Sequence, residues 1–165
     1  MFSSKNKEIT EQEALSRLSA MCSRAEHSSG EMREKMRRWQ LPADAAERVV
    51  ERLVAERYID DSRFCRLFVR DKLRFDRWGR RKIEQALYQK GVDAAIIEAA
   101  VEAVPDEDWL EALRPLIAAK RRSLKAENKY EESAKLMRFA MGRGFDMRFV
   151  RQCIDDADEL CGDDF

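Results

Sequence analysis

The feature that most constrains this chain is that it repeats itself. Gln40-Leu41, Gly91-Val92 and Gly144-Phe145 align at offsets of 51 and 53 residues. Upstream of each pair, Met32, Ile83 and Leu136 fall into register, as do Met36, Leu87 and Ala140. Downstream, Ala46, Ile97 and Val150 match, followed by Val50, Val101 and Ile154. The apolar spacing on either side of each pair is that of a helix buried on one face. Each segment therefore reads as helix, tight turn, helix, and a longer helix precedes each one: Glu11–Arg24, Asp61–Phe75 and Asp106–Ser123. A period near 50 residues is typical of helical repeats, whose units are too small to bury much apolar surface alone and must stack.

The expected fold is all-α, an elongated, curved array of three tandem three-helix repeats. Module 1 spans 10–59, module 2 spans 60–105 and module 3 spans 106–157, with a flexible N-terminal tail over 1–9 and an acidic C-terminal tail over 158–165. No Val/Ile/Thr-rich alternating run bounded by turn residues is present, as strands would require.

Local chemistry fits these limits. Ser28-Ser29-Gly30-Glu31 has the form of a capping box, with Ser28 accepting from an orphan amide and Glu31 reaching back. Asp60 can cap the following helix, with Ile59 and Phe64 at the two positions of a hydrophobic staple. Gly91 and Gly144 suit the left-handed residue that ends a helix, and Gln40-Leu41-Pro42 stops the equivalent one. Pro105 closes the second module. Pro115 falls inside a helical pattern, where a kink or break is expected.

Enzymatic chemistry finds little purchase. The single histidine, His27, stands beside a capping serine and reads as part of a helix start. Four dispersed cysteines (Cys22, Cys65, Cys153, Cys161) offer no metal-ligand spacing and read as reduced thiols. Gly142-Arg143-Gly144 closes a helix and follows no strand, so it is no phosphate loop. No catalytic residue, metal or cofactor is expected. The longest stretch free of Asp, Glu, Lys and Arg is Leu18–Ser23, far short of a membrane span. Met1–Thr10 is polar and lacks the apolar run of an export signal, so the expected compartment is the cytoplasm.

Information remains in the charge. Charged residues make up 39% of the chain, against about 25% in a typical globular protein, and the 32 bases balance the 32 acids. The balance hides local polarity. Seven cations (Arg70, Lys72, Arg74, Arg77, Arg80, Arg81, Lys82) stand against Asp71 and Asp76, with Phe75 and Trp78 among them. A second basic stretch holds Lys120, Arg121, Arg122, Lys125 and Lys129, while six acids and no base lie between Asp155 and Phe165. Clustered bases on an extended surface can meet phosphates or an acidic protein groove. A zero net charge argues against a dedicated high-affinity DNA binder. Tyr58, Phe64, Phe68, Trp109, Phe145 and Phe149 occur at helical spacing and belong to the core; Trp78 and Trp39, at joints, are candidates for partial exposure.

Two stretches carry a family resemblance. Arg24-x-x-His27-Ser28-x-x-Glu31-Met32, followed by Lys35-Met36, resembles the first-module signature of the RecX regulators of RecA recombinase. Tyr58-Ile59-Asp60-Asp61-Ser62-Arg63-Phe64 resembles the central signature, and the likeness continues through Phe68-Val69, Gly79, Lys82-Ile83, Gln85-x-Leu87 and Lys90-Gly91-Val92. It covers roughly residues 13–155, weakest in the third module. The chain departs from the family at Arg77 and Arg80, where members commonly show Gly and Pro.

The resemblance implies a non-enzymatic negative modulator of RecA, and with it a part in DNA repair, homologous recombination and the SOS response; a monomer is the expected state. Such proteins lie in the helical groove of the RecA filament on single-stranded DNA and obstruct its extension, lowering ATP hydrolysis, strand exchange and coprotease activity. The expected partner- or nucleic-acid-binding residues are Arg70, Lys72, Arg74, Arg77, Trp78, Arg80, Arg81, Lys82, Lys120, Arg121, Arg122 and Lys125, with weak direct DNA contact as a secondary expectation. The alternatives are a helical module acting on nucleic acid without RecA, and a helical adaptor with neither dependence.

Overall fold

The computed structural model describes residues 8–162, and their side chains as far as residue 158. The two ends of the expected tails, 1–7 and 163–165, lie outside it.

Among the described residues the regular structure is entirely helical: α1 (Glu11–Arg24), α2 (Ser29–Arg38), α3 (Ala43–Ala55), α4 (Asp61–Asp71), a short π-helix (Lys72–Asp76), α5 (Arg80–Gln89), α6 (Ala94–Glu102), α7 (Asp106–Ser123), α8 (Lys129–Gly142) and α9 (Met147–Gly162). The helices pack in threes. α3 receives α1 and α2, α6 receives α4 and α5, and α9 receives α7 and α8. The repeat register is the core register. Met32, Ile83 and Leu136 are fully buried, as are Met36, Leu87 and Ala140, and the matching pairs downstream are buried too.

Sharp turns end the second helix of each unit at one shared position. Gln40, Gly91 and Gly144 all adopt positive φ (60°, 73° and 93°). Thr10, Ser28, Asp60 and Asn128 cap α1, α2, α4 and α8 by accepting from the amide three residues on.

Five local expectations change. The long helix expected over Asp61–Phe75 widens at Lys72 into the π-helix. α7 runs through Pro115 without ending. Ile59 packs in the first core and Phe64 in the second, so they form no staple. The Ser28 hydroxyl does cap α2, but the Glu31 carboxylate is held elsewhere, at 2.8 Å from His27 Nδ1 and 3.2 Å from Lys90 Nζ. α9 also continues to Gly162, so the first part of the acidic stretch is helical.

The joints between units reuse one contact. The start of α2 leans on the turn after α5, where the Ser28 hydroxyl donates to the Lys90 carbonyl at 2.7 Å. The start of α5 leans on the turn after α8, where the Gly79 amide donates to the Arg143 carbonyl at 2.8 Å and the Arg81 amide to the Gly144 carbonyl at 3.0 Å. Backbone meets backbone at both places. A Cβ on Gly30 would come 2.6 Å from Gly91 Cα, and one on Gly79 would come 2.5 Å from the Gly144 oxygen. Gln40 occupies the corresponding turn of the first unit, against which no other unit packs among the described residues, and there a side chain is tolerated.

The cores divide unequally. Ala14, Leu18, Met32, Met36, Val49 and Leu53 belong to a separate first core. The second and third units share one continuous core that runs from Phe64 and Leu87 to Trp109, Phe145 and Ile154.

Candidate functional site

The first basic run lies where α4 hands over to α5. The π-helix ends at Arg77, whose φ of 52° places a non-glycine residue in the left-handed region. The next amide, of Trp78, bonds back to the Lys72 carbonyl at 3.1 Å and closes the turn. Wide turns of this kind and left-handed non-glycine residues cost energy and occur disproportionately at functional sites. Arg77 Nη1 reaches the Ala112 carbonyl on α7 at 3.4 Å, one residue from the Glu111 carbonyl that Pro115 leaves without its usual amide.

The fold sorts the seven cations rather than massing them. Successive residues of α4 are about 100° apart, so Arg66 and Arg70 lie on a different side from Phe68 and Lys72. On the Phe68 side, Lys72 Nζ and Lys82 Nζ each stand 4.6 Å from the Trp78 ring centroid. Lys72 also lies 5.5 Å from Phe68, and Lys90 approaches that ring at 5.9 Å. Three ammonium groups thus converge on two half-buried rings, the favourable geometry for cation–π attraction. Lys72 is further paired with Asp76 at 3.0 Å.

On the other side, Arg66, Arg70 and Arg74 line one wall of an open groove of about 560 Å³, with Arg77 at its end. Buried Val69, Leu73, Ala100 and Ala112 belong to its apolar lining, and Asp108 and Glu111 stand on the facing rim. Arg66, Arg74 and Arg77 have no carboxylate partner among the described residues, and Arg70 has only Asp71 at 3.5 Å. Phe75, beside Arg74, is 71% exposed.

Arg80 is committed internally, donating to Glu84 at 2.6 Å and to Glu102 at 2.8 Å. The hydrogen bond to Glu84, joined by that to Glu102, pushes its already high pKa higher. Arg81 and Lys82 open instead on a second, wider groove of about 920 Å³, whose rim carries the exposed Tyr88 and Met141.

The second basic stretch is not brought to the first. It sits at the far end of α7, about 14 Å along the helix axis from Ala112. Arg121 is held by Glu132 at 2.9 Å and Asp158 at 3.1 Å. Lys120 lies over Phe139 at 5.2 Å, while Arg122 and Lys125 are exposed. Arg66, Phe68 and Lys90 escape sequence reasoning. Phe68 and Lys90 stand there only in the core and signature runs, and Arg66 leaves a trace as the first member of the four-residue spacing Arg66, Arg70, Arg74.

Among the described residues no group of three His, Cys, Asp or Glu converges as metal ligands. Burial pushes the thiols of Cys65 and Cys153 up to about 11, and that of Cys22 upward, away from nucleophilic chemistry. The Cys161 side chain lies outside the described residues. No described helix is long and apolar enough to cross a membrane.

Compared with known proteins, residues 14–53, 60–101 and 106–154 match the first, second and third three-helix domains of RecX. The chain belongs to the RecX family. It is 31% identical over 140 residues to the regulatory protein RecX of Acinetobacter baylyi, covering 85% of each. It is 33% identical over 133 residues to that of Prosthecochloris aestuarii, covering 79% of this chain and 84% of the relative. Other relatives are longer: the chain spans 48% of the RecX of Oceanobacillus iheyensis, at 26% identity. In fold it superposes on the crystal structure of RecX from Lactobacillus salivarius with a TM-score of 0.84 at 18% identity, covering 90% of this chain and 96% of that one. The RecX relatives are named regulatory proteins, and this chain is a member of that regulatory family.

Proposed function

We propose that this RecX-family chain is a non-enzymatic, cytoplasmic, monomeric regulator that lies along the RecA filament on single-stranded DNA. There it obstructs filament extension and lowers ATP hydrolysis, strand exchange and coprotease activity. The observation that carries the reading, beyond family membership, is the set of cations around the α4–α5 handover that the fold leaves without acidic partners. Arg66, Arg74, Arg77 and Arg81 have none among the described residues, whereas Arg80 and Arg121 are consumed by internal pairs. Unneutralised cations on a stacked helical surface suit a long polyanionic or acidic partner.

The test is inhibition of DNA-dependent ATP hydrolysis by RecA, beside co-sedimentation with ATP-stabilised filaments. Reversing Arg74, Arg81 and Lys82 to Glu is expected to leave the helical circular dichroism intact and weaken both readouts. Full inhibition by the folded triple variant would refute the assignment of these side chains.

A second reading has one observation in its favour. Trp78 between two ammonium groups is the kind of platform on which an unpaired base stacks. If naked single-stranded DNA binds tightly, with affinity falling steeply as salt rises, and RecA adds nothing, the chain acts on nucleic acid alone.

A further inference from the structure

The arginine-walled groove differs from the rest of the basic surface in having three distinct strips. Arg66, Arg70 and Arg74 recur every four residues along one wall, about 6 Å apart. Apolar side chains form the floor. The opposite rim is acidic, with exposed Asp108 and Glu111 that pair with no base among the described residues. A nucleic-acid backbone suits such a groove poorly, because a continuous polyanion would gain one wall and be repelled by the other, over a floor it cannot use. The complementary object is a helix with acidic residues every four positions on one edge, an apolar stripe beneath and basic residues on the other edge.

We propose that this groove docks a dipolar amphipathic helix of a protein partner, its acidic edge on Arg66, Arg70 and Arg74 and its basic edge on Asp108 and Glu111. The assignment goes beyond the filament reading, since it concerns a protein segment and not the DNA. The π-helix and the left-handed Arg77 serve it locally: they carry Arg74 past the end of α4 and anchor Arg77 to α7, the helix that supplies the opposite rim. Because the lining comes from α4, α6 and α7, it rests on the core that the second and third units share. The groove is therefore formed before any partner arrives.

The probe is a fluorescein-labelled helical peptide of about 18 residues, with a Glu edge, a Leu/Ala stripe and a Lys edge, titrated against the full chain and followed by anisotropy. Saturable binding is expected to fall about tenfold or more when Arg66, Arg70 and Arg74 are reversed to Glu, and to be unchanged in Lys82→Glu. Should the triple reversal fail to fold, Glu111→Lys supplies an independent reading. It is expected to weaken this peptide and to tighten a companion peptide carrying Glu on both edges. No saturable binding by a folded chain, equal losses in Lys82→Glu, or displacement of the peptide by a single-stranded oligothymidylate held by the same arginines would overturn the proposal. Filament co-sedimentation with the same preparation separates the two readings. A chain that sediments with filaments yet ignores the peptide overturns the groove alone, and one that binds the peptide but not filaments overturns the filament reading alone.

Discussion

Adding one methyl group at Gly79 tests the joint between the second and third units. Its φ of −81° is open to any residue, so an alanine there suffers no backbone strain and its cost is purely steric. The new Cβ would stand 2.5 Å from the Gly144 oxygen and closer still to Gly144 C and Phe145 N, all backbone atoms that cannot rotate away. Reaching an ordinary contact distance requires the start of α5 and the turn after α8 to separate by roughly 1 Å. That movement stretches both joint hydrogen bonds, Gly79 to Arg143 and Arg81 to Gly144, beside peptide groups buried at Gly79, Gly144 and Phe145. Overpacking costs about 1–3 kcal/mol and each weakened buried bond about 1 kcal/mol or more, so Gly79→Ala is expected to lose about 3–5 kcal/mol. For a slope near 2 kcal/mol per molar urea, the midpoint of unfolding drops by roughly 2 M. Gly142→Ala is the control: no atom lies within 4 Å of its Cβ, and a helical alanine is expected to gain up to about 1 kcal/mol. Urea unfolding followed by far-ultraviolet circular dichroism measures both. If Gly79→Ala unfolds at the parental midpoint while Gly142→Ala behaves as expected, the joint is not the tight backbone contact described.

Two further outcomes are expected. Arg77→Gly exchanges a left-handed strain of about 1–2 kcal/mol for the added freedom of glycine in the unfolded chain and a weak bond to Ala112, so stability is expected to hold or rise slightly in the same urea assay; a loss beyond about 1 kcal/mol would mean that the Arg77–Ala112 contact outweighs the strain. Glu34, bonded to Arg37 at 2.7 and 2.8 Å, has its carboxyl lowered to about 2, chiefly by that hydrogen bond; its folded value being depressed, whatever this pair contributes is present above the ordinary value of 4.5 and lost as pH falls from there through 2, and an NMR titration should place the midpoint near 2 and return it toward 4.5 in Arg37→Gln, whereas an unmoved midpoint would contradict the pairing.

The helical repeat was legible because burial and sequence spacing are one fact seen twice. A position such as Leu87, which recurs as Met36 and Ala140, is apolar in each copy because each copy closes the same small core. The left-handed turns at Gly91 and Gly144 were legible for a local reason, the absence of a Cβ. Their second role was not. Gly30 and Gly79 look like unrelated glycines until folding sets each against the turn of the next unit. The capping box failed in a similar way: Glu31 satisfies the local pattern, but Lys90, 59 residues away, and His27 take its carboxylate. The π-helix left no mark either, since Lys72–Asp76 continues the amphipathic pattern of α4 and widens where it meets α7. For the candidate surface, the sequence located the cations but could not sort them. Whether an arginine is free or spent depends on residues such as Glu102 and Glu132, remote in the chain from the arginine they hold.

The two joints share a device but not a composition, and this bears on where a partner can be held. Between the second and third units, backbone contacts are backed by a continuous apolar core, which water cannot replace without loss of buried area. Between the first and second, the joint is polar. Ser29 donates to Asp61 from its amide at 2.7 Å and its hydroxyl at 2.5 Å, Arg63 pairs with Glu26 at 2.8 Å, and Lys90 pairs with Glu31. Water can substitute for bonds of this kind at small net cost, since folding only exchanges one set of hydrogen bonds for another. The first unit is therefore joined to the second by polar pairs and a close backbone approach, while the second and third also share an apolar core. The arginine groove, built across the second and third units, rests wholly on that shared core. A partner seated there would meet a surface backed by buried apolar residues of both units, so little ordering of the chain would be left to its binding.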